Sequence, residues 1–505
     1  MESKGMEGGR QYGFTKGRGT ADALGKLKRI VTGSEKKYVA GVFVDIKGAF
    51  DNAWPPLVLS VLRNNECPRN IYRLLRDYLS GRSIKVGKVF ERFLHMVEKG
   101  CPQGSVLGPI VWIILLHDWL VQEFGEGVHI IAYADDIVIV VEEEQERNLR
   151  RKLNKLMRNL RIWLRKARLE WSVEKTKGML LKGSKTKGIG CITHKNPWRP
   201  RVILEGVTEL EWVEEMKYLG VTIDQSWLFQ THVEEATSKA KKVMGAMRQV
   251  NWDSWGVGFR TMDVIYEGAF VPIVTYGANI WYERTKQTHV KRKLRAAQRA
   301  ALITAANAYR TVSFEGIVAI CGKLPLDAVT RVRGKVEEER TRLNEEKLER
   351  PLVRALVKES EKRLLEEEWR NWQNEYITGG VDRKLGREKN IRLREQIKDI
   401  TEWRKEKRIV DKWAVGYITG HLGTKEYLYR HGKVEDDKCK CGKVETIDHL
   451  VWECAEYRAE REKMRGKMGR VENERDITDR KVYEAVRGAV REIMKRVEAE
   501  RKGGE

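Results

Sequence analysis

The chain has 505 residues, a formal net charge of +24 and 34% charged residues, which allows several domains and points to a polyanionic partner, nucleic acid before any other. No apolar run is long enough to cross a bilayer and no secretory signal opens the sequence, so the expectation is a soluble intracellular protein of nucleus and cytoplasm, with no membrane partner. Seven cysteines, three of them clustered near the C-terminus, fit reduced thiols and a metal site better than a disulfide framework.

In chain order, Leu24, Leu27, Ile30 and Val31 recur on one face of a helix that Thr20 or Asp22 would begin. The apolar run 38–44 reads as a strand ending on Asp45. Pro55 and Pro56 break the chain before helices at 57–63 and 70–79. Gly100-Cys101-Pro102-Gln103-Gly104-Ser105-Val106-Leu107-Gly108-Pro109 then makes a turn into the apolar run 110–116. Its glycines permit close backbone approach to a ligand, and a helix N-terminus favours phosphate. Cys101 reads as a small buried residue.

Residues 129–141 carry the chemistry: apolar, largely β-branched side chains flank Ala134-Asp135-Asp136, the pattern of a buried hairpin whose tight turn holds two carboxylates. Two like charges in such a place require a cation. Mg²⁺ suits them, because it takes one or two carboxylates and completes its shell with substrate phosphates. Asp45 supplies a third carboxylate, and the set fits a phosphoryl-transfer site holding two Mg²⁺ roughly 3.5–4 Å apart. The competing reading is that both residues merely fill a hairpin turn, where Asp is common.

Residues 142–166 follow as a charged amphipathic helix whose Leu149, Leu153, Leu156, Leu160 and Leu164 would pack on the sheet. The basic helix 291–302 spaces its cations along one face, as a nucleic-acid backbone requires. Residues 330–410 mix Glu, Arg and Lys with Leu and Trp at helical intervals, which favours solvent-exposed helices or a short coiled coil. Cys439, Cys441, His449 and Cys454 then offer three thiolates and an imidazole, a closed tetrahedral set for a structural Zn²⁺. Four residues without metal are the alternative there.

Tyr133-Ala134-Asp135-Asp136, taken with Phe43-Val44-Asp45-Ile46-Lys47-Gly48-Ala49-Phe50-Asp51, resembles the reverse transcriptase of non-LTR (LINE-type) retrotransposons, in particular the arthropod clade that inserts into ribosomal DNA. Similar segments continue in the family's order from Gln11 to about Arg458. The resemblance implies an α+β fold: a right-hand polymerase palm with partial fingers over 1–185, and a primer-grip hairpin with helical thumb or connection over 186–325. A charged helical region would follow over 326–410, then a zinc-knuckle-like module over 411–460 and a charged helical tail over 461–505.

It also implies an RNA-directed DNA polymerase that joins deoxynucleoside triphosphates to a DNA primer or target 3′-hydroxyl on an RNA template, with Asp45, Asp135 and Asp136 holding the two Mg²⁺. Phe50 would exclude the 2′-hydroxyl, Gln103 and Gly104 would lie beneath the nascent base pair, and Tyr133 would line the substrate. Lys175 would reach the leaving pyrophosphate, and Tyr218, Leu219 and Gly220 would grip the primer. The family's two upstream finger strands have no counterpart here, so the sequence reads as N-terminally truncated, and Ile113 stands where the family usually has Asn, a repacking or a sign of decay. The alternative class is a polymerase-inactive remnant that only binds nucleic acid.

Overall fold

The computed structural model describes residues 9–86, 93–102, 104–183, 198–204, 206–252, 258–346, 348–378, 381–382, 387–388, 391–406 and 408–502. They divide into two compact units, one of residues 1–232, 279–281 and 337–353, the other of 233–278, 282–336 and 354–505.

The first unit is built on a five-stranded sheet in the order Glu211–Trp212, Lys177–Lys182, Tyr38–Val44, Asp136–Glu143, Val128–Tyr133. All seven residues of the central strand Tyr38–Val44 are buried, which is why its sequence is continuously apolar rather than alternating. Tyr38, Ala40, Val42 and Val44 join one core with the helices Gly108–Leu120 and Glu146–Lys166, through Val111, Trp112, Leu153, Leu160 and Trp163. On the other face of the same strand, Phe43 meets Tyr218 edge to face at 5.3 Å between ring centroids. That contact draws the hairpin Glu215–Tyr218/Val221–Asp224 into the first unit.

The first helix spans Thr20–Gly33, and Asp22 fixes its start by accepting from the Gly19 N–H at 2.6 Å. Expected helix 142–166 begins later, at Glu146. Glu142 and Glu143 instead continue the strand, where they pair with Val39 and Tyr38.

In the second unit the principal elements are helices. Residues expected to form solvent-exposed helices bury Trp369, Trp372 and Tyr376 on the 29-residue helix Arg350–Thr378. On the basic helix, Thr288–Ala305, several cations meet protein acidic groups: Arg295 bonds Asp327 at 2.9 Å and Glu375 at 2.6 Å, and Lys291 pairs with Glu375 at 3.2 Å. Lys293 pairs with Glu234, and Arg299 donates to the Val312 carbonyl at 2.8 Å. Four of the cations expected to face a nucleic-acid backbone thus have protein acceptors, while Arg292 is exposed.

The C-terminal helix Arg480–Lys502 buries Val482, Val486, Val490, Ile493 and Val497. It also pins the Cys/His region, through Arg501 to Glu445 at 2.6 Å and Glu500 to Lys440 at 2.8 Å. Among the described residues, no helix is long and apolar enough to cross a membrane.

Candidate active site and Cys/His cluster

The hairpin turns through Ala134 and Asp135, closed by the Tyr133–Asp136 pair. Ala134 sits at φ +58°, a left-handed conformation that costs a non-glycine residue about 1–2 kcal/mol. Val44 pairs with Ile137, so the next residue, Asp45, comes opposite Asp136. Residues alternate across a strand, and Asp45 therefore shares the face of Phe43, away from the helices. Its backbone is held firmly: the Asp45 N–H donates to Thr176 Oγ1 at 3.2 Å and its carbonyl accepts from Ser172 N–H at 2.9 Å.

The structure thus brings together the three acids expected from sequence, but at an open tip: Asp135 is half-buried and Asp136 exposed, while the strands behind them are buried. Partial burial first, then the charge of Asp45, raises the Asp135 carboxyl above its ordinary range, with its own backbone N–H acting the other way. The Asp136 carboxyl, although the residue is exposed, is partly desolvated by the protein around it, which raises its pKa first, followed by the charges of Asp135 and Asp45. No cationic side chain is among the causes, so these are oxygen donors in need of a counter-charge, the chemistry a hard divalent cation matches.

The walls are built from backbone contacts. Tyr12 N–H donates to Ala132 O at 2.7 Å and Ala132 N–H to Arg10 O at 2.8 Å, so residues 10–12 lie parallel along the outer hairpin strand. Gly13 then touches the turn so closely that a Cβ there would stand 2.4 Å from Ala134 N. Sequence reading missed this strap; the Tyr12-Gly13-Phe14 triplet is its only local signal.

Phe50, on the short helix Ala49–Asn52, packs its ring against Trp112 at 5.6 Å and Phe14 at 6.0 Å. Gly100, at φ +79°, donates to Ala53 O at 2.7 Å, and Cys101 N–H donates to Phe50 O at 2.8 Å. Cys101 is buried, as expected. Gln103 lies outside the described residues. Gly104 is open, with φ +80° and no atom within 4 Å of a would-be Cβ.

Tyr133 is half-buried at the hairpin's end, and Lys175 is exposed in the turn just before Thr176. Leu219 and Gly220, at φ +45° and +80°, form the two-residue turn of their hairpin. Tyr218 beside them is buried, and both burial and the charge of Asp136 push its hydroxyl's pKa up.

In the second unit the ligand atoms of Cys439, Cys441, His449 and Cys454 lie within 4.8 Å of one another. The Cys439 and Cys454 sulfurs are 3.7 Å apart, close to the edge of about 3.8 Å that a tetrahedron with Zn–S bonds of about 2.3 Å would have. His449 Nε2 faces Cys441 Sγ at 3.0 Å. Gly442, at φ +87°, turns the chain between the ligands and donates to Cys439 O at 2.8 Å. Burial pushes the Cys454 thiol up to about 12, so ionisation there calls for a cation. The donor set and its spacing fit a tetrahedral metal ion.

Residues 6–223 match the family described as reverse transcriptase (RNA-dependent DNA polymerase), a span that includes all three acids. The chain thus carries a reverse transcriptase domain. It is 29% identical over 458 residues to the Pol polyprotein of type-1 retrotransposable element R1 from Bradysia coprophila, covering 88% of this chain and 43% of that protein. A putative 115 kDa protein of element R1DM in Drosophila melanogaster is 30% identical, over 88% of this chain and 42% of its own length. A probable RNA-directed DNA polymerase from transposon X-element, also of Drosophila melanogaster, is 27% identical over 58% of this chain and 31% of that protein.

Beyond that domain, the similarity runs to proteins of R1 retrotransposable elements along most of the chain. It spans a little over four-tenths of the length of these two R1 proteins.

Proposed function

We propose that this chain is an RNA-directed DNA polymerase that extends a DNA 3′-hydroxyl with deoxynucleoside triphosphates on an RNA template. The observation that carries the proposal is the strand register, which sets Asp45 opposite Asp136 and beside Asp135. Residues 1–185 are the palm with partial fingers, and residues 186–325 are the primer-grip hairpin with the helical thumb or connection.

Asp45, Asp135 and Asp136 hold two Mg²⁺, which when bound supply the Lewis acidity that activates the 3′-hydroxyl and neutralises the triphosphate and its leaving group. The protein's own share is positioning and electrostatics, because phosphoryl transfer leaves little covalent work to side chains. Thr176 and Ser172 fix the backbone of Asp45. The Arg10–Gly13 strap fixes the turn of Asp135 and Asp136.

Phe50, clamped between Trp112 and Phe14, closes the space beside the sugar against a 2′-hydroxyl. Gln103, Gly104 and Tyr133 line the nascent pair, and Lys175 meets the pyrophosphate. The hairpin turn at Tyr218, Leu219 and Gly220 holds the primer terminus, its Tyr218 ring keyed to Phe43 two residues before Asp45. Cys439, Cys441, His449 and Cys454 hold one structural Zn²⁺, which keeps their loops in shape.

Primer extension on an RNA template with Mg²⁺ tests the reading. Incorporation by the wild type that vanishes in Asp135→Ala supports it. No incorporation by the wild type would leave a protein that only binds nucleic acid.

A further inference from the structure

The helix Glu146–Lys166 carries nine Lys and Arg residues against a single acid, Glu146, and that carboxylate is engaged by the Tyr38 hydroxyl at 2.6 Å. Its inner face is fully committed to the core through Leu149, Leu153, Leu156, Leu160, Trp163 and Leu164. At 3.6 residues per turn, Arg147, Arg151, Lys155, Arg158 and Arg165 fall on the opposite side, in one arc of about 80°, and run for about 27 Å along the axis. All five are exposed.

Two other cations of the helix are paired, Lys152 with Glu143 at 2.5 Å and Lys166 with Asp118 at 2.7 Å. The five on the outer arc make no side-chain hydrogen bond or ion pair with any described residue. This departs from the chain's own habit. On its other charged helices Arg342 pairs with Glu339 and Glu346, and Arg496 with Glu460 and Glu500. Like charges three and four apart disfavour a helix, so an unrelieved row of them calls for an external counter-charge.

The row cannot serve the strand held at the carboxylates. Asp45 shares the sheet face of Phe43 and Tyr218, whereas Tyr38, Ala40, Val42 and Val44 on the other face pack against this helix. The sheet and a helix diameter of about 10 Å therefore stand between the row and the acids. A duplex presents about 16 phosphates over a 27 Å length.

We propose that the outer arc of this helix is a second nucleic-acid site, which binds the phosphate backbone of a strand or duplex running behind the sheet, apart from the one being extended. The chemistry required is a polyphosphate chain, available either from RNA away from the copied nucleotide or from flanking duplex DNA. Binding here does not depend on catalysis, so its test is separate from that of the polymerase reading.

The test uses the full chain in an Asp135→Ala background, comparing it with the fourfold variant Arg147→Gln, Arg151→Gln, Lys155→Gln, Arg158→Gln. Fluorescence anisotropy is read over a salt series with a labelled single-stranded RNA and, separately, a labelled DNA duplex. Losing four phosphate contacts should flatten the log–log salt slope by about 3 and weaken binding at least about tenfold at moderate salt, on the probe that the site serves. The Lys-for-Arg variant Arg147→Lys, Arg151→Lys, Arg158→Lys should keep the slope.

The fourfold variant with Asp135 restored should extend a short pre-annealed primer–template at the unaltered chain's rate. Unchanged slopes on both probes would overturn the proposal. So would a parallel fall in extension on the short substrate, which would put the arc at the catalytic duplex.

Discussion

Substituting Gly13 by alanine tests whether the strap of residues 10–13 holds the acidic turn in place. A Cβ at this position would lie 2.4 Å from Ala134 N and 2.9 Å from the Tyr133 carbonyl carbon, both rigid backbone, where ordinary contact begins at 3.4 Å. Either the strap or the turn must therefore retreat by about 1 Å. If the strap retreats, the Tyr12–Ala132 and Ala132–Arg10 hydrogen bonds, now 2.7 and 2.8 Å, stretch out of range.

Two buried backbone bonds are then lost at about 1 kcal/mol each, rising to about 1–3 kcal/mol each where a donor is left unsatisfied. The expected destabilisation is about 2–6 kcal/mol. If the turn retreats instead, Asp135 and Asp136 move with it, and a misplacement of about 1 Å lowers the extension rate on the order of 10²-fold.

Urea unfolding and primer extension together separate the two responses. Gly9→Ala is the control, because nothing lies within 4 Å of its would-be Cβ, and it should stay within about 0.5 kcal/mol of wild type. A Gly13→Ala protein matching Gly9→Ala in both assays would refute the strap argument.

Four further outcomes follow from the same geometry. Burial, Asp135 and Asp45 hold the Asp136 carboxyl above its ordinary range, so the folded chain keeps that proton longer than the unfolded one. Stability is then lost as pH climbs from the ordinary carboxylate range through the raised folded value. Without divalent cations near neutral pH, Asp136→Asn should therefore resist urea better than wild type while losing extension activity, and a lower midpoint would contradict the like-charge account. Phe50→Val should relax discrimination against ribonucleotides by about tenfold or more, the scale of a side-chain-sized change in a pocket; equal selectivity in single-nucleotide incorporation would remove Phe50 from the sugar site. Tyr218→Phe deletes a buried hydroxyl with no hydrogen-bond partner among the described residues and should stabilise the chain by about 1–3 kcal/mol in urea, whereas destabilisation would mean that the hydroxyl is satisfied. Metal analysis of the purified chain should return one zinc per molecule, falling below about one-tenth in Cys454→Ser, and a wild type empty after purification with zinc would reduce the cluster to four unligated side chains.

What sequence could reveal depended on whether a residue's partner was close in the chain or implied by a strand period. The Asp135-Asp136 turn was readable because its flanks are β-branched, and the period of two in those strands is what lines Asp45 up with Asp136. Cys439, Cys441, His449 and Cys454 were readable because four ligands within sixteen residues need only a local fold. The strap was not, since nothing in Arg10-Gln11-Tyr12-Gly13 announces a parallel pairing with Ala132, about 120 residues away.

Charge was the least legible property. The basic helices Glu146–Lys166 and Thr288–Ala305 look alike as strings, yet Arg295 finds Asp327 and Glu375 at separations of 32 and 80 residues, while Arg151 and Arg158 find no described acid. The difference lies in the neighbours that packing supplies. Helices Leu326–Glu345 and Arg350–Thr378 deliver carboxylates to the second of these helices, whereas the sheet beneath the first packs apolar side chains on its inner face and brings one carboxylate, Glu143, to Lys152 at its flank. A basic helix is therefore free to meet phosphate only where the fold withholds acids from its outer side, and in this chain that helix is the one whose leucines had marked it out for packing alone.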